Sequence, residues 1–137
     1  MKKIISQRRS YESFYSMLIS TLIKKELNKR ASKHNERRGL PISIFGNDWI
    51  GININVDGLY EAEHLVDLIQ LLNKIGVDIK NSTAIDIGAN IGNHAVEFSK
   101  YFAEVICFEP NPRTFDVLAV NAKQIKNIHV NNWGCSS

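Results

Sequence analysis

Thr83-Ala84-Ile85-Asp86-Ile87-Gly88-Ala89-Asn90-Ile91-Gly92-Asn93 decides the fold of this chain. Thr83 to Ile87 has the length and composition of a buried parallel strand. A loop with glycines at 88 and 92 follows, and then a helical pattern, His94 to Phe102, with Ala95, Val96, Phe98 and Phe102 apolar. Val105-Ile106-Cys107-Phe108 predicts a second buried strand, ending in Glu109-Pro110-Asn111-Pro112. Asn111 suits the N-cap of a further helix and Pro112 its first position. Phe115, Leu118, Ala119 and Ala122 supply that helix with an inner face, and Ile128-His129-Val130-Asn131 predicts a third strand. Strand, loop, helix, strand, helix and strand over 83–132, with short connections, predict an α/β fold: a parallel sheet with right-handed crossovers.

Units of this kind bind nucleotides at the carboxyl ends of their strands. Glycines let the backbone approach the ligand, N–H groups at the helix start are donors, and an acid ending the second strand accepts from ribose hydroxyls. Glu109 lies 23 residues after Asp86, near the ~20-residue spacing of that role. A dinucleotide site would read G-x-G-x-x-G. Here Gly88-x-x-x-Gly92 follows Asp86, which disfavours a nicotinamide-dependent protein. In a plainer reading the glycines only turn the chain, Asp86 caps the loop and Glu109 is an exposed strand end.

Asp86 to Asn93, followed by Phe108-Glu109-Pro110-Asn111-Pro112, resembles the first two motifs of FkbM-type class I methyltransferases, which use S-adenosylmethionine. The resemblance runs from about Ile52 to the C-terminus and includes Tyr60-Glu61. It implies the N-terminal part of a Rossmann-like methyltransferase fold. Cofactor contacts would come from Asp86, Gly88, Ala89, Asn90, Gly92 and Asn93, and from Glu109, Pro110 and Asn111 after the second strand. In the family the loop cradles the methionine and ribose portions and the Glu grips the ribose hydroxyls; Glu61 would fall at the methionine end. The implied reaction is O-methylation of a sugar or small-molecule hydroxyl. The family pattern continues past a third strand with an adenine-contacting loop and further strands. The chain is therefore expected to be truncated, lacking the acceptor half, and to need a complementary chain or oligomer. The alternative is a catalytically inert fragment that binds a cofactor or partner. No catalytic residue is assigned; His94 is the nearest candidate for a base, with packing or capping as its rival role.

Upstream, Ile42-Ser43-Ile44-Phe45, Gly46-Asn47-Asp48 and Trp49 to Val56 alternate apolar and polar residues around a turn-rich centre, which predicts a β-hairpin. Leu59 to Lys74 predicts a helix with Leu65, Leu68, Ile69, Leu72 and Ile75 on one face, stopped by Gly76. His64 on that helix has no second ligand at metal spacing and is expected to be solvated, so no metal is expected.

The chain of 137 residues is long enough for one domain. Its 44% hydrophobic and 23% charged content excludes wholesale disorder and fibrous repeats. The net charge of +3 divides unevenly. Residues 1–40 carry eleven Lys or Arg against three Glu, a net of +8, and residues 41–137 carry a net of −5. The sequence thus separates into a basic arm, 1–40, and a partial Rossmann-like domain, 41–137. Ser10 to Lys33 lacks Gly and Pro; Ser10 suits an N-cap and Glu12 the first turn. Tyr11, Phe14, Leu18 and Leu22 share a helical face, widened by Tyr15, Ile19 and Ile23, while Lys24, Lys25, Lys29, Arg30 and Lys33 lie opposite and towards the C-terminal end. First among three readings, the stripe packs on the following domain; alternatively the helix lies on an anionic membrane surface, or it meets a protein partner or nucleic acid. Interleaved aromatics alone do not favour nucleic acid. Met17 to Ile23 is too short to span a membrane, and the start has no signal-peptide core. Cys107 and Cys135 make neither a disulfide scaffold nor a metal site, so the expected location is the cytoplasm.

Overall fold

In the computed structural model, which describes residues 14–135, three parallel strands form one sheet in the order β1-β2-β3. They are β1 (Thr83–Ile87), β2 (Glu104–Phe108) and β3 (Ile128–Asn131). Among the described residues five α-helices accompany them: α1 (Phe14–Arg38), α2 (Trp49–Asp57), α3 (Ala62–Lys74), α4 (Asn93–Phe98) and α5 (Pro112–Ala122). A 3-10 turn, Ile79–Asn81, leads into β1. The protein is mixed α/β with a parallel sheet, as the alternation of elements predicts.

Register decides which side of the sheet is covered. Ala84, Val105 and Ile128 align across the strands, as do Asp86, Cys107 and Val130, and with a side-chain period of two these share one face. On that face Val105 and Cys107 are fully buried against Ala95 and Val96 of α4 and Leu118 and Ala122 of α5. Full burial of a side chain such as Leu118 contributes about 1.5–3 kcal/mol. The opposite face is bare: Ile85 is 63% and Ile87 65% exposed. Among the described residues no strand pairs with the outer edge of β1. The expectation of a buried strand is not met at β1: Ala84 and Asp86 on the covered face are half-buried, and Thr83, Ile85 and Ile87 are exposed.

The predicted β-hairpin is not formed. Pro41 to Phe45 is irregular, and Trp49–Asp57 is helical. The alternation of Ile50, Ile52, Ile54 and Val56 loses to strong end signals. Asp48 accepts from the Gly51 N–H as N-cap, and Gly58 adopts the left-handed C-cap conformation, its N–H donating to Ile54. Ser43, which would have paired across the hairpin, is held by Asn121 of α5 instead. Two other helices are shorter than expected. Tyr60 and Glu61 precede α3, and α4 ends at Phe98 instead of Phe102. Asn111 caps α5 by accepting from the Arg113 N–H at 3.0 Å, with Pro112 at the first position, as expected.

α1 departs from the expected packing of its stripe. It has no buried residue, and Phe14, Tyr15, Leu18, Ile19, Leu22 and Ile23 are all exposed. Hydrogen-bonding groups tie it to α2 and its C-cap: Arg30 Nη1 and His34 Nε2 lie 3.3 and 3.1 Å from the Val56 carbonyl, and Arg38 donates to the Gly58 carbonyl. The expectations for Ser10, Tyr11 and Glu12 lie outside the described residues. No described helix is long and apolar enough to cross a membrane.

Candidate functional site

The carboxyl ends of β1 and β2 sit side by side, with Ile87 registered against Phe108. The chain beyond β1 must reverse over this edge to enter α4, and the two glycines make that turn. Gly92 has φ +87°, and a Cβ there would lie 2.7 Å from Leu118 Cδ1, so both conformation and space require glycine. Gly88 has φ +77°, and a Cβ there would meet nothing within 4 Å: the backbone is open on that side. Among the described residues two non-glycine residues have positive φ, Asn90 at 52° and Glu61 at 58°, and both belong to the candidate set. Such strain concentrates at ligand sites.

Glu109 follows β2 and is 8% exposed. Its Oε2 accepts from the Asn90 N–H and its Oε1 from the Asn111 N–H, both at 2.9 Å. One carboxylate thus joins the glycine loop to the start of α5. Each oxygen retains acceptor capacity beyond its amide, since a carboxylate offers about four lone-pair sites. Sequence spacing points to Glu109 as a ribose acceptor but does not reveal this clamp, and the exposed strand end of the plainer reading is not what forms.

Every backbone N–H from residue 88 to 92 is used within the chain. Gly88 and Ala89 donate to the Phe108 carbonyl at 2.8 and 3.0 Å, Asn90 to Glu109, Ile91 to Asn90 Oδ1 at 2.7 Å, and Gly92 to the Ala89 carbonyl at 2.9 Å. The loop is self-satisfied, and the donors expected at the helix start are the amides of α4, which begins at Asn93. Asn93 is likewise committed. Its side chain accepts from the Tyr60 N–H at 3.1 Å and donates to the Tyr60 carbonyl at 2.9 Å, so it fastens the Tyr60-Glu61 bend to α4.

That bend brings Glu61 into the site. Glu61 Oε2 lies 3.3 Å from His94 Nε2, within ion-pair reach but without hydrogen-bond alignment. Asp86, on β1 beneath them, has a buried Oδ2 with no hydrogen-bond partner. Burial raises the Asp86 pKa, and the nearby His94 partly offsets this. Tyr60 also has a raised pKa, caused first by the Glu61 charge and then by the hydrogen bond between them. Asp86, Glu61 and His94 therefore converge at the carboxyl end of β1. His94 further stacks obliquely with Phe98, 6.2 Å between ring centres, a packing role beside its polar one.

On the other side of Asn90 lies a cleft of about 400 Å³ lined by Phe45, Asn47, Asp48, Asn111, Arg113 and Thr114. Phe45 to Asp48 form its wall because Asn121, fully buried, pins Ser43. Asn121 Oδ1 accepts from the Ser43 N–H at 2.7 Å, and its Nδ2 donates to the Ser43 and Ile91 carbonyls at 3.0 and 2.8 Å. The Arg113 guanidinium sits 5.3 Å from the centre of the Phe45 ring. Sequence reasoning misses this wall, which no local pattern signals. Pro110 lies outside the cleft lining and is exposed. His64 is exposed, and the described residues contain no group of three or more His, Cys, Asp or Glu able to hold a metal ion.

No family model matches the chain, and no curated protein does. Among solved structures, it is similar to the YcgJ protein from Bacillus subtilis, at 24% identity and a TM-score of 0.43. The match covers 53% of this chain and 30% of that protein, so the chain spans under a third of its length.

Proposed function

We propose that the chain binds S-adenosylmethionine at the carboxyl ends of β1 and β2 and belongs to a class I methyltransferase acting on a hydroxyl of a sugar or small molecule. One observation carries the choice of ligand. The amides of residues 88–92 are all engaged within the chain, so the glycine loop itself offers no donor to the pyrophosphate of a nicotinamide dinucleotide. A ligand with a ribose and a cationic end, and no phosphate, suits what remains. Glu109 has acceptor capacity for ribose hydroxyls. Asp86, with its unpartnered buried oxygen, and Glu61 would face the cationic methionine end. Gly88 gives close backbone approach, and Asn90 and Asn111 fix Glu109 through their amides.

The cofactor supplies a methyl group on a sulfonium, so the protein's part is orientation and electrostatics. Fixed carboxylates beside a cation hold it in one pose without reorganising. His94, held by Phe98 and near Glu61 and Asp86, is the nearest group able to move a proton.

A second reading, binding without turnover, is favoured by the bare face of the sheet. Ile85 and Ile87 are exposed on the face opposite α4 and α5, a surface open to a partner. Methyl transfer from labelled S-adenosylmethionine to a panel of sugars and small hydroxyl compounds separates the two. Transfer supports the methyltransferase; binding with no transfer supports the second reading; no binding of S-adenosylmethionine refutes both.

A further inference from the structure

α1 is divided along its axis. From Phe14 to Ile23 seven of ten residues are large and apolar, and these are between 47% and 75% exposed. From Lys24 to Arg38 the helix carries seven Lys or Arg against Glu26 and Glu36. At 3.6 residues per turn the apolar side chains span about 240° of the circumference. A seam for one partner helix is about 100° wide or narrower, whereas a helix apolar nearly all round belongs in an apolar medium. The Thr21 hydroxyl fits such a medium, since it already donates to the Met17 carbonyl at 2.8 Å and needs no water. The helix is tied to the domain through Arg30, His34 and Arg38 of its other half, which leaves residues 14–23 projecting.

We propose that residues 14–23 insert into the interfacial region of an anionic lipid bilayer, with the flanking cations at the headgroups. The segment is about 15 Å long, half the ~30 Å hydrocarbon thickness, so it does not cross. Arg8 and Arg9 precede it in sequence and Lys24 and Lys25 follow. Both ends therefore return to headgroup level, and the helix lies in the membrane plane. Charge selects the lipid. Residues 1–40, net +8, are drawn to an anionic surface, and residues 41–137, net −5, are held off it.

The test is co-sedimentation of the full chain with vesicles of phosphatidylcholine alone and with vesicles containing phosphatidylserine. Recovery on the anionic vesicles should be at least about tenfold higher, and raised salt should release the protein. Leu18→Glu with Leu22→Glu, and Lys24→Glu with Lys25→Glu, alter exposed positions. Each pair should leave the melting temperature unchanged and lower partitioning about tenfold or more. Equal recovery on the two vesicle types, or salt-insensitive binding, overturns the proposal without any variant. So does wild-type partitioning by both double variants. A wild-type dimer that Leu18→Glu with Leu22→Glu dissociates, in a protein that ignores vesicles, would assign the segment to a second copy of the chain.

Discussion

Glu109→Gln tests the clamp at the centre of the site. In the native protein each carboxylate oxygen accepts one backbone N–H at 2.9 Å, from Asn90 and from Asn111, and the residue is 8% exposed. A glutamine has one oxygen and one NH₂ group, so one amide must face a donor. That amide loses its partner in a buried setting, at about 1–3 kcal/mol, and the surviving bond loses its charge assistance. Together these give about 3 kcal/mol of destabilisation. For a domain of this size that corresponds to a fall of roughly 10 °C in melting temperature. Binding of S-adenosylmethionine should also weaken about tenfold or more, because a ribose hydroxyl loses an anionic acceptor. Thermal melting by circular dichroism and titration calorimetry measure the two effects separately. A melting temperature within a degree of the wild type would refute the clamp, whatever happened to binding.

Three further outcomes are expected. Asn121→Leu leaves the Ser43 N–H and the Ser43 and Ile91 carbonyls unpaired, so it should cost about 3 kcal/mol or more in urea denaturation. Burial raises the Asp86 pKa, so the stability this residue lends is present below the ordinary carboxylate range and lost as pH rises through the folded-state value; Asp86→Asn should therefore raise the melting temperature at neutral pH, with the gain vanishing in acid, and a pH-independent difference would refute the assignment. The Cys107 thiol is pushed up to about 12 by burial and by Asp86, whereas Cys135 is exposed; a thiol reagent at neutral pH should modify one cysteine in the native protein and both in denaturant.

The elements legible in the sequence are those whose causes are local. Thr83 to Ile87 and Val105 to Phe108 read as strands because each is an apolar run ended by a turn signal, and Asn111-Pro112 starts α5 because cap and first-turn chemistry act within three residues. The hairpin reading fails because Ile50, Ile52, Ile54 and Val56 fit a period of two as well as one buried helical position. The choice between them is made by Asp48 and Gly58 at the ends and by Asn121, 78 residues from Ser43. No window of sequence contains that last contact. The stripe on α1 reads as a packing face only if a receiving surface exists, and the helix is instead held at its other half by the carbonyls of Val56 in α2 and of the C-cap Gly58. Within the site, spacing singles out Asp86 and Glu109. The engagement of Asn93 with Tyr60 and the approach of Glu61 to His94 depend on a left-handed bend at residue 61 that composition does not announce.

Titration calorimetry of the full chain with S-adenosylmethionine and with NAD, side by side, distinguishes the two ligands at the carboxyl ends of β1 and β2. The Glu109 carboxylate keeps acceptor capacity beyond its two amides, and the loop amides of residues 88–92 are engaged within the chain. S-adenosylmethionine should therefore bind the more tightly, and Glu109→Gln should reduce that binding by about tenfold or more. Tighter binding of NAD, or an affinity for S-adenosylmethionine that is unchanged in Glu109→Gln, would contradict the account.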